Sequence, residues 1–293
     1  MEIFHINALI VAIGYAVAAV FSKQALSKGA GTLRLSLMVN LIFIPVFAPL
    51  LLQKEAAIPW EQLHLPIITG VLFFAGQVFT FAAIRMGDVS LQTPMMGTKA
   101  VFAVLIAVIF GTESIGVPMV AAAVVAMVGV ALLGFSGNGA ERVGVSIGLA
   151  LLSSLFFAGS DTMVGVFAQD FGLPVFLFVT IAVNALLSFA LIPFFKEPLR
   201  AIPKQAWPWM LAACLLMAGQ ALLLNYTLGR YQHVAEVNII YSTRGLWSVV
   251  FGAIAIRVFQ QAKSDHHGRI YIMRFTGALL MCVAIAILFF PQL

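Results

Sequence analysis

The sequence predicts an all-α membrane protein with ten transmembrane helices, arranged as two inverted repeats of five helices. Three observations predict this fold. Hydrophobic residues make up 62% of the 293 residues and charged residues only 9%, which is too little charge for the surface of a water-soluble domain. Ten apolar stretches are long enough to cross a bilayer. Short motifs of the first half of the chain recur in the same order in the second half.

A membrane-spanning helix needs about 20 predominantly apolar residues. The stretches that meet this requirement have approximate limits 5–26, 33–52, 63–86, 90–110, 117–135, 144–168, 174–194, 207–229, 234–256 and 270–290. The breaks between them contain Gly, Pro and charged residues, such as Lys28-Gly29 and Gly87-Asp88, which end helices. Few residues remain outside the spans, so we expect no soluble catalytic or nucleic-acid-binding domain.

Other features of the sequence argue against processing and against metal or cofactor binding. The start, MEIFHINALIV, has no Lys or Arg before its apolar run, so we expect the first span to be retained rather than cleaved as a signal peptide. Cys214 and Cys282 both lie in apolar stretches and form no metal cluster. His266 and His267 lack a spaced third ligand. We therefore predict no metal site and no cofactor.

Lys and Arg concentrate in the loops on one side of the predicted membrane domain. Eleven lie in or beside the loops that follow odd-numbered spans: Lys28, Arg34, Arg85, Arg142, Lys196, Arg200, Lys204, Arg257, Lys263, Arg269 and Arg274. Lys54 and Arg230 are the two that follow even-numbered spans. Positive loops face the cytoplasm, so topology accounts for the net charge of +5 without nucleic-acid binding. We predict a multi-pass protein of the cell membrane (the inner membrane if the source is bacterial) with extracytoplasmic termini.

Two pairs of segments reveal the internal repeat. GQVFTFAAIRM (76–86) aligns with GQALLLNYTLG (219–229), and VSLQTPMMGTKAVF (89–102) aligns with VAEVNIIYSTRGLW (234–247). Spans three and four thus correspond to spans eight and nine, and we divide the chain into repeats 1–137 and 138–293. Because five is an odd number, the second repeat crosses the membrane in the opposite sense. Such inverted repeats hold a binding site near the midplane.

The alignment places Lys99 of span four opposite Arg244 of span nine. A charge in the middle of the bilayer is costly, so it is rarely found there without a partner or a function. Because the basic residue recurs in both repeats, the pair indicates a polar site between the two halves. Lysine and arginine donate hydrogen bonds to carboxylate, phosphate or sulfonate groups, arginine with two parallel N–H groups.

Span nine carries a polar stripe beside this pair. Asn238, Tyr241, Arg244 and Ser248 share one helical face because they are three or four residues apart. The stripe either contacts a substrate or forms a hydrogen-bonded seam with a neighbouring helix. Trp247 lies close to Arg244 in the chain and is a candidate for the wall of a substrate cavity.

Three further polar residues are candidates for substrate contact. Gln77 and Gln220 are equivalent in the repeat alignment, and a glutamine amide in a membrane core needs hydrogen-bond partners. A substrate or backbone freed near the adjacent glycines could supply those partners. Tyr15 of span one is the third candidate.

Asp161 in span six and Glu236 at the start of span nine are the acids within the spans. Either could neutralise a nearby Lys or Arg, or could carry a coupling proton. Glu236 also lies near a helix N-terminus, where the helix dipole stabilises a carboxylate.

The short-looped spans, the repeat and the segment GDVSLQTPMMGTK (87–99) resemble the drug/metabolite transporter superfamily in its ten-helix, EamA-type form. The resemblance covers the whole chain. It implies a central cavity lined by spans one, three, four, six, eight and nine, with the fifth and tenth helices at the periphery. Members carry amino acids, sugars, nucleotide sugars, sugar phosphates and other small metabolites. Many bacterial members have an apolar residue or proline near the position of Lys99, whereas plastid sugar-phosphate members place basic residues in the corresponding helices.

The favoured interpretation is a secondary transporter of a small organic metabolite with an anionic group, working by alternating access. In the first alternative, the protein exports amino acids or amines, whose ammonium group binds Asp161 and Glu236. A more distant alternative is an intramembrane enzyme acting on a lipid-linked substrate, but no catalytic residue is predicted because no paired carboxylates or activated nucleophile can be identified. The expected partners are the substrate, membrane lipid and a candidate coupling proton, without nucleic acid, in a monomer or homodimer.

The charge of the loops generates the first testable prediction. A reporter that is active only in the cytoplasm, fused after Leu293, should give no signal in intact cells, because the positive loops hold the C-terminus on the opposite side. A fusion after Arg200 should be active and serves as the control. A strong signal from the C-terminal fusion would reverse the orientation while leaving the predicted fold unchanged.

Overall fold

A computed structural model of the chain describes residues 2–53, 58–86, 98–111, 114–133, 143–258 and 268–289. Within these ranges the secondary structure is helical and contains no strand. The α-helices are α1 (Ile3–Ser27), α2 (Thr32–Phe47), α3 (His64–Met86), α4 (Thr98–Phe110), α5 (Val117–Leu133), α6 (Val143–Phe171), α7 (Leu173–Ser188), α8 (Trp207–Tyr231), α9 (Val234–Tyr241), α10 (Arg244–Val258) and α11 (Gly268–Phe289). Short 3₁₀ helices occur at Ala48–Leu52, Trp60–Gln62, Phe189–Phe194, Leu199–Ala201 and Lys204–Ala206.

Six helical segments of the described residues are long and apolar enough to cross a bilayer: Ile3–Ser27, Thr32–Leu52, Trp60–Ala83, Gly144–Phe171, Leu173–Phe194 and Lys204–Tyr231. Shorter apolar helices cover Thr98–Phe110, Val117–Leu132 and Phe275–Leu288. These lengths are those of a multi-pass membrane protein. The total of ten spans and the inverted repeat stay predictions. Residues 87–97, which open the predicted fourth span, and the predicted repeat boundary after residue 137 lie outside the described residues.

A serine seam joins α6 to α3. The hydroxyl groups of Ser146, Ser153 and Ser160 donate hydrogen bonds to the backbone carbonyls of Ala83 (2.9 Å), Gly76 (2.8 Å) and Thr69 (3.2 Å). Both series advance by seven residues, in opposite directions, because the two helices are antiparallel and two turns of a helix take about seven residues. Small residues let membrane helices approach closely, and their hydroxyl groups bond across the interface. The seam therefore fixes the register of α3 against α6.

Small side chains mediate two other close contacts. Helix α1 packs along α8, where a Cβ atom added to Gly14 would lie 3.4 Å from Gln220 Cβ. Helix α5 packs along α11, where a Cβ atom added to Gly129 would lie 3.0 Å from the carbonyl oxygen of Gly277. The α5 and α11 pair has its own hydrophobic cluster, separate from the larger cluster built around α1, α6, α7 and α8.

The stretch predicted as span nine is not one continuous helix, because the helix is broken between α9 and α10. Ser242 and Thr243 form a turn at the break, and the Gly245 backbone N–H donates to the Ser242 carbonyl (3.2 Å). The side-chain hydroxyl of Thr243 donates to the Ile240 carbonyl (2.7 Å). Serine and threonine hydroxyl groups compete in this way for carbonyls that would otherwise continue the helix. Arg244 is consequently the first residue of a new helix.

Arg34 connects the turn between α1 and α2 to the connection between α7 and α8. Its buried guanidinium donates to the carbonyls of Gly29 (2.8 Å) and Pro198 (3.1 Å), and it lies 3.4 Å from the carboxylate of Glu197. The preceding Gly31 has a φ of +76°, and a Cβ atom there would lie 2.8 Å from Arg34 Nε. Glycine is therefore needed at position 31 for both backbone conformation and space.

Candidate functional site: a one-sided polar cavity

A cavity of about 520 Å³ lies inside the helix bundle. On α1 it extends from Tyr15 to Ser22, and on α2 from Phe43 to Thr32, the first residue of that helix. The cavity thus runs from the middle of the bundle to the end at which α1 stops and α2 begins. Its size is within the range of about 300–1,000 Å³ for sites that hold small organic ligands.

The cavity walls combine aromatic rings with a few polar groups. Six aromatic residues line it: Tyr15, Phe43, Phe73, Phe81, Phe157 and Tyr241. The charged residues of the lining are Lys99, Asp161 and Arg244. Apolar walls with a small number of convergent polar groups are typical of ligand sites.

Lys99 and Asp161 form a buried ion pair at the cavity wall. Lys99 Nζ lies 2.6 Å from Asp161 Oδ2, and the two residues are only 6% and 4% exposed. The ammonium also lies 5.4 Å from the ring centre of Tyr241 and 5.9 Å from that of Phe157, distances at which a cation is attracted to an aromatic face. Helix α4 thereby holds its charged side chain against α6 and α9.

Arg244 is held by aromatic rings instead. Its guanidinium carbon lies 4.3 Å from the ring centre of Tyr241 and 4.8 Å from that of Tyr15, and these two rings contact each other edge to face. Among the described residues, no carboxylate lies within ion-pair distance of Arg244. A guanidinium against aromatic rings keeps N–H donors along its edge.

The described cavity lining therefore contains two cations and one carboxylate. Lys99 and Asp161 neutralise each other, and Arg244 leaves one positive charge without a counter-ion among these residues. Arg244 is also the first residue of α10, and the N-terminus of a helix favours negative charge. Both features favour an anion in the cavity.

The two glutamines that are equivalent in the sequence alignment both line the cavity but have different partners. The amide of Gln77 forms two hydrogen bonds with the amide of Asn40, at 2.9 and 3.1 Å, so that each donates to the other. Gln220 donates from Nε2 to the carbonyl of Met217 (3.1 Å), and its Oε1 is buried without a hydrogen-bond partner. Of these two glutamines, Gln220 is thus the one whose amide oxygen still needs a donor.

Three predicted site residues are not in the described cavity lining. Asn238 is buried and donates to the Val234 carbonyl (3.0 Å) within its own helix. Trp247 packs against the main hydrophobic cluster. Glu236 lies 3.2 Å from His5 at the far end of α1. Tyr15, Gln77, Lys99, Asp161, Gln220, Tyr241 and Arg244 do line the cavity, and their role in substrate binding stays a prediction.

Helix α2 supplies cavity residues that the sequence analysis did not identify. They are Thr32, Leu35, Ser36, Val39, Asn40 and Phe43, which repeat at intervals of three or four residues along one helical face. The second helix is also missing from the set that the family resemblance implied. The single asparagine in an otherwise apolar span was the available signal, because an amide in such a span needs a partner.

The other end of the cavity is sealed by the start of α1. Phe4, Ala8, Val11 and Ala12 are at most 3% exposed and belong to the main hydrophobic cluster. The Phe4 ring stacks on the His233 ring with a centre distance of 4.5 Å.

His5 reinforces the seal through a hydrogen bond. His5 Nδ1 accepts from the Glu2 backbone N–H (3.0 Å), so Nε2 carries the proton that it shares with the carboxylate of Glu236 (3.2 Å). The contact to Glu236 joins α1 to the first turn of α9.

The fold is that of a multi-pass membrane protein with an internal cavity. Residues 3–135 match the model of the EamA-like transporter family, which belongs to the drug/metabolite transporter superfamily. This match confirms the resemblance drawn from the sequence over residues 3–135. Proteins of this family are transporters, so the match indicates a membrane transporter of small molecules.

The fold is shared with solved structures, one of which is a crystal structure of a protein. That structure matches 95% of this chain and 98% of its own chain, with a TM-score of 0.68 and 16% sequence identity. No curated protein sequence matches the chain.

The Lys99–Asp161 pair generates a prediction about stability. Lys99→Met and Asp161→Leu should each destabilise the folded protein by roughly 3–5 kcal/mol, because each leaves a buried charge without a partner. The double variant should recover most of this loss, since it leaves neither charge. Unfolding of the purified protein in detergent measures all three variants, and additive losses in the double variant would show that the pair is not coupled.

Proposed function

We propose that the protein is a secondary transporter of a small organic metabolite with an anionic group, working by alternating access between two five-helix halves. The observation that carries this proposal is Arg244, a cavity-lining cation without a carboxylate partner among the described residues. A substrate anion would supply its missing counter-ion. Arginine accepts carboxylate or phosphate oxygens through two parallel N–H groups.

Asp161 has a charge-balancing role in this proposal. Its carboxylate neutralises Lys99, whose ammonium would otherwise be a second uncompensated charge in the membrane interior. In the alternative role, a substrate anion draws Lys99 away and the released carboxylate takes up a coupling proton. Both roles use the same contact, and the geometry of the ion pair favours charge balance.

The packing of the helices supports the proposed five-plus-five repeat. If the two halves are repeats, α1 corresponds to α6, α3 to α8, and α4 to the α9–α10 pair. Helix α3 packs on α6 and α1 packs on α8, and α4 packs on α6 while α9 and α10 pack on α1. Each contact therefore has a counterpart under this correspondence, and the α5–α11 contact is its own counterpart.

Alternating access is supported by the shape of the cavity. The cavity reaches the end of the bundle where α1 meets α2, and the beginning of α1 closes the opposite end. In the orientation that we predict from the loop charges, the open end faces the cytoplasm. Transport would then require the contacts of His5 and Phe4 to separate.

The amino-acid or amine alternative has less support. It needs two carboxylates for the ammonium group, but Glu236 is held by His5 and Asp161 is held by Lys99. An ammonium ion would also add to the positive charge of Arg244. The observed pairing thus favours an anionic substrate over a cationic one.

The proposal predicts that Arg244→Gln abolishes transport while the protein stays folded. A charge-assisted hydrogen bond contributes roughly 1.5–3 kcal/mol, so the substrate affinity should fall by at least about tenfold. A thermal-shift screen with metabolite anions, amino acids and sugars identifies a ligand, and exchange of that ligand into proteoliposomes measures transport. Arg230→Gln, an exposed arginine at the end of α8, is the control. Wild-type exchange by the Arg244 variant would contradict an anion site at this residue.

A further prediction concerns the sealed end. Ala12→Cys, in a protein whose Cys214 and Cys282 are replaced by Ser, should react slowly with a membrane-impermeant maleimide added from the His5 side, because Ala12 is fully buried. His5→Ala should increase this rate several-fold by removing the contact to Glu236.

The matched control is Glu197→Ala, which removes the Arg34 ion pair at the opposite end. It should leave labelling from the His5 side unchanged. Equal rates with and without the His5 substitution would mean that this contact does not hold the end closed.

A further inference from the structure

We propose that the substrate is a hydroxylated organic anion, whose hydroxyl groups donate hydrogen bonds to amide oxygens on α8. This inference rests on the proposed function, since it assigns the anionic group to Arg244. It adds a second recognition surface, made by Gln220 and Asn225, on a different wall of the same cavity.

Both amides on α8 use their nitrogen within their own helix. Gln220 Nε2 donates to the carbonyl of Met217 (3.1 Å), and Asn225 Nδ2 donates to the carbonyl of Ala221 (2.8 Å). A carbonyl oxygen only accepts hydrogen bonds, so the atom facing it must be the amide nitrogen in each case. One N–H of each amide group is used in this way, which leaves its second N–H and its oxygen. The oxygen of Gln220 is the acceptor that lacks a partner, and an acceptor recognises only a donor.

The oxygen of Gln220 shows an unmet need for a donor. Oε1 is buried and has no hydrogen-bond partner, and an unsatisfied buried acceptor typically costs about 1–3 kcal/mol. The side chain lines the cavity, and in this proposal a change of its rotamer on ligand binding turns the oxygen towards the ligand. A ligand hydroxyl group would then remove the cost.

The acceptor wall and the cation lie at the same depth of the cavity. A Cβ atom at Gly14 of α1 would lie 3.4 Å from Gln220 Cβ, and the next residue, Tyr15, contacts the guanidinium of Arg244 at 4.8 Å. One small molecule can therefore reach both groups, with its anionic end at Arg244 and its donors towards α8.

Charge distinguishes hydroxyl donors from an ammonium donor. Asp161, the carboxylate of the described lining, is occupied by Lys99, and Arg244 leaves the cavity with an excess of positive charge. A neutral hydroxyl group satisfies an amide oxygen without adding a cation. The amides of Asn40 and Gln77 satisfy each other, so the recognition of donors is assigned to α8 and not to α2 or α3.

Four six-carbon probes test this inference on the purified full-length protein. Gluconate has a carboxylate and hydroxyl groups, hexanoate has the carboxylate alone, sorbitol has hydroxyl groups alone, and norleucine has a carboxylate and an ammonium group. We expect gluconate to bind most tightly in a thermal-shift titration. Gln220→Met and Asn225→Leu should each weaken gluconate binding by roughly three- to tenfold, the contribution of one neutral hydrogen bond, and should leave hexanoate binding unchanged.

Stability and a matched substitution separate recognition from misfolding. Gln220→Met should not lower the melting temperature without ligand, because it removes an unsatisfied acceptor. Gln169→Met makes the same change outside the cavity lining, where the amide donates to the carbonyl of Arg230, and it should not alter the preference for gluconate.

Each remaining outcome decides against the inference. Hexanoate binding as tightly as gluconate would exclude recognition of hydroxyl groups but leave the anion site intact. Norleucine binding most tightly would assign the α8 wall to an ammonium group. A gluconate preference that persists in both α8 variants would place hydroxyl recognition elsewhere. Binding of sorbitol alone, or of none of the four probes, would overturn the inference. If sorbitol alone binds and its binding is unchanged by Arg244→Gln, the anion site is overturned as well.

Discussion

The high cost of an unpaired charge in a membrane interior is the constraint on which the site depends. The structure meets it differently for its two deep cations. Lys99 is neutralised by a carboxylate at 2.6 Å, whereas Arg244 is held between two tyrosine rings. Aromatic faces attract a cation but carry no net charge to cancel it. Arg244 therefore keeps an uncompensated positive charge, whereas the charge of Lys99 is neutralised. The ring of Tyr241 contacts both cations.

The two main helix–helix interfaces between the proposed halves differ in the contacts that hold them together. Three serines at seven-residue intervals on α6 donate hydrogen bonds to backbone carbonyls of α3. Sliding α6 along α3 would break all three bonds. At its counterpart under the exchange of halves, α1 packs along α8, and a Cβ atom added to Gly14 of α1 would lie 3.4 Å from Gln220 Cβ. Van der Waals contacts between small residues can be exchanged for similar ones as helices shift.

The break at Ser242 and Thr243 connects local backbone chemistry to the site. Their hydroxyl groups bond to carbonyls of the preceding turn, and the new helix begins at Arg244. The same few residues thus end one helix and place the start of another at the cavity, with Arg244 and Gly245 in its wall. Discontinuous helices are used in this way in membrane transporters to present helix ends to a ligand.

The sequence alone determined the membrane class, because apolar stretches of bilayer length leave no alternative to helices whose backbone bonds are internal. It also identified Lys99 and Arg244, because a charge within such a stretch stands out against the apolar background. Helical periodicity predicted that Tyr241 and Asn238 lie beside Arg244. Tyr241 does, but the amide of Asn238 donates to a carbonyl of its own helix and does not line the cavity.

Tertiary structure decided which partner each polar side chain has. Gln77 and Gln220 occupy equivalent positions in the sequence, yet one meets Asn40 and the other has an unpaired oxygen. Glu236 was as plausible a partner for a cation as Asp161, and the packing of α1 gave it His5 instead. Pairings of this kind depend on distances of a few ångströms between helices that are far apart in the chain. A one-dimensional pattern records which residues share a helix face, whereas only the packed bundle determines what that face meets.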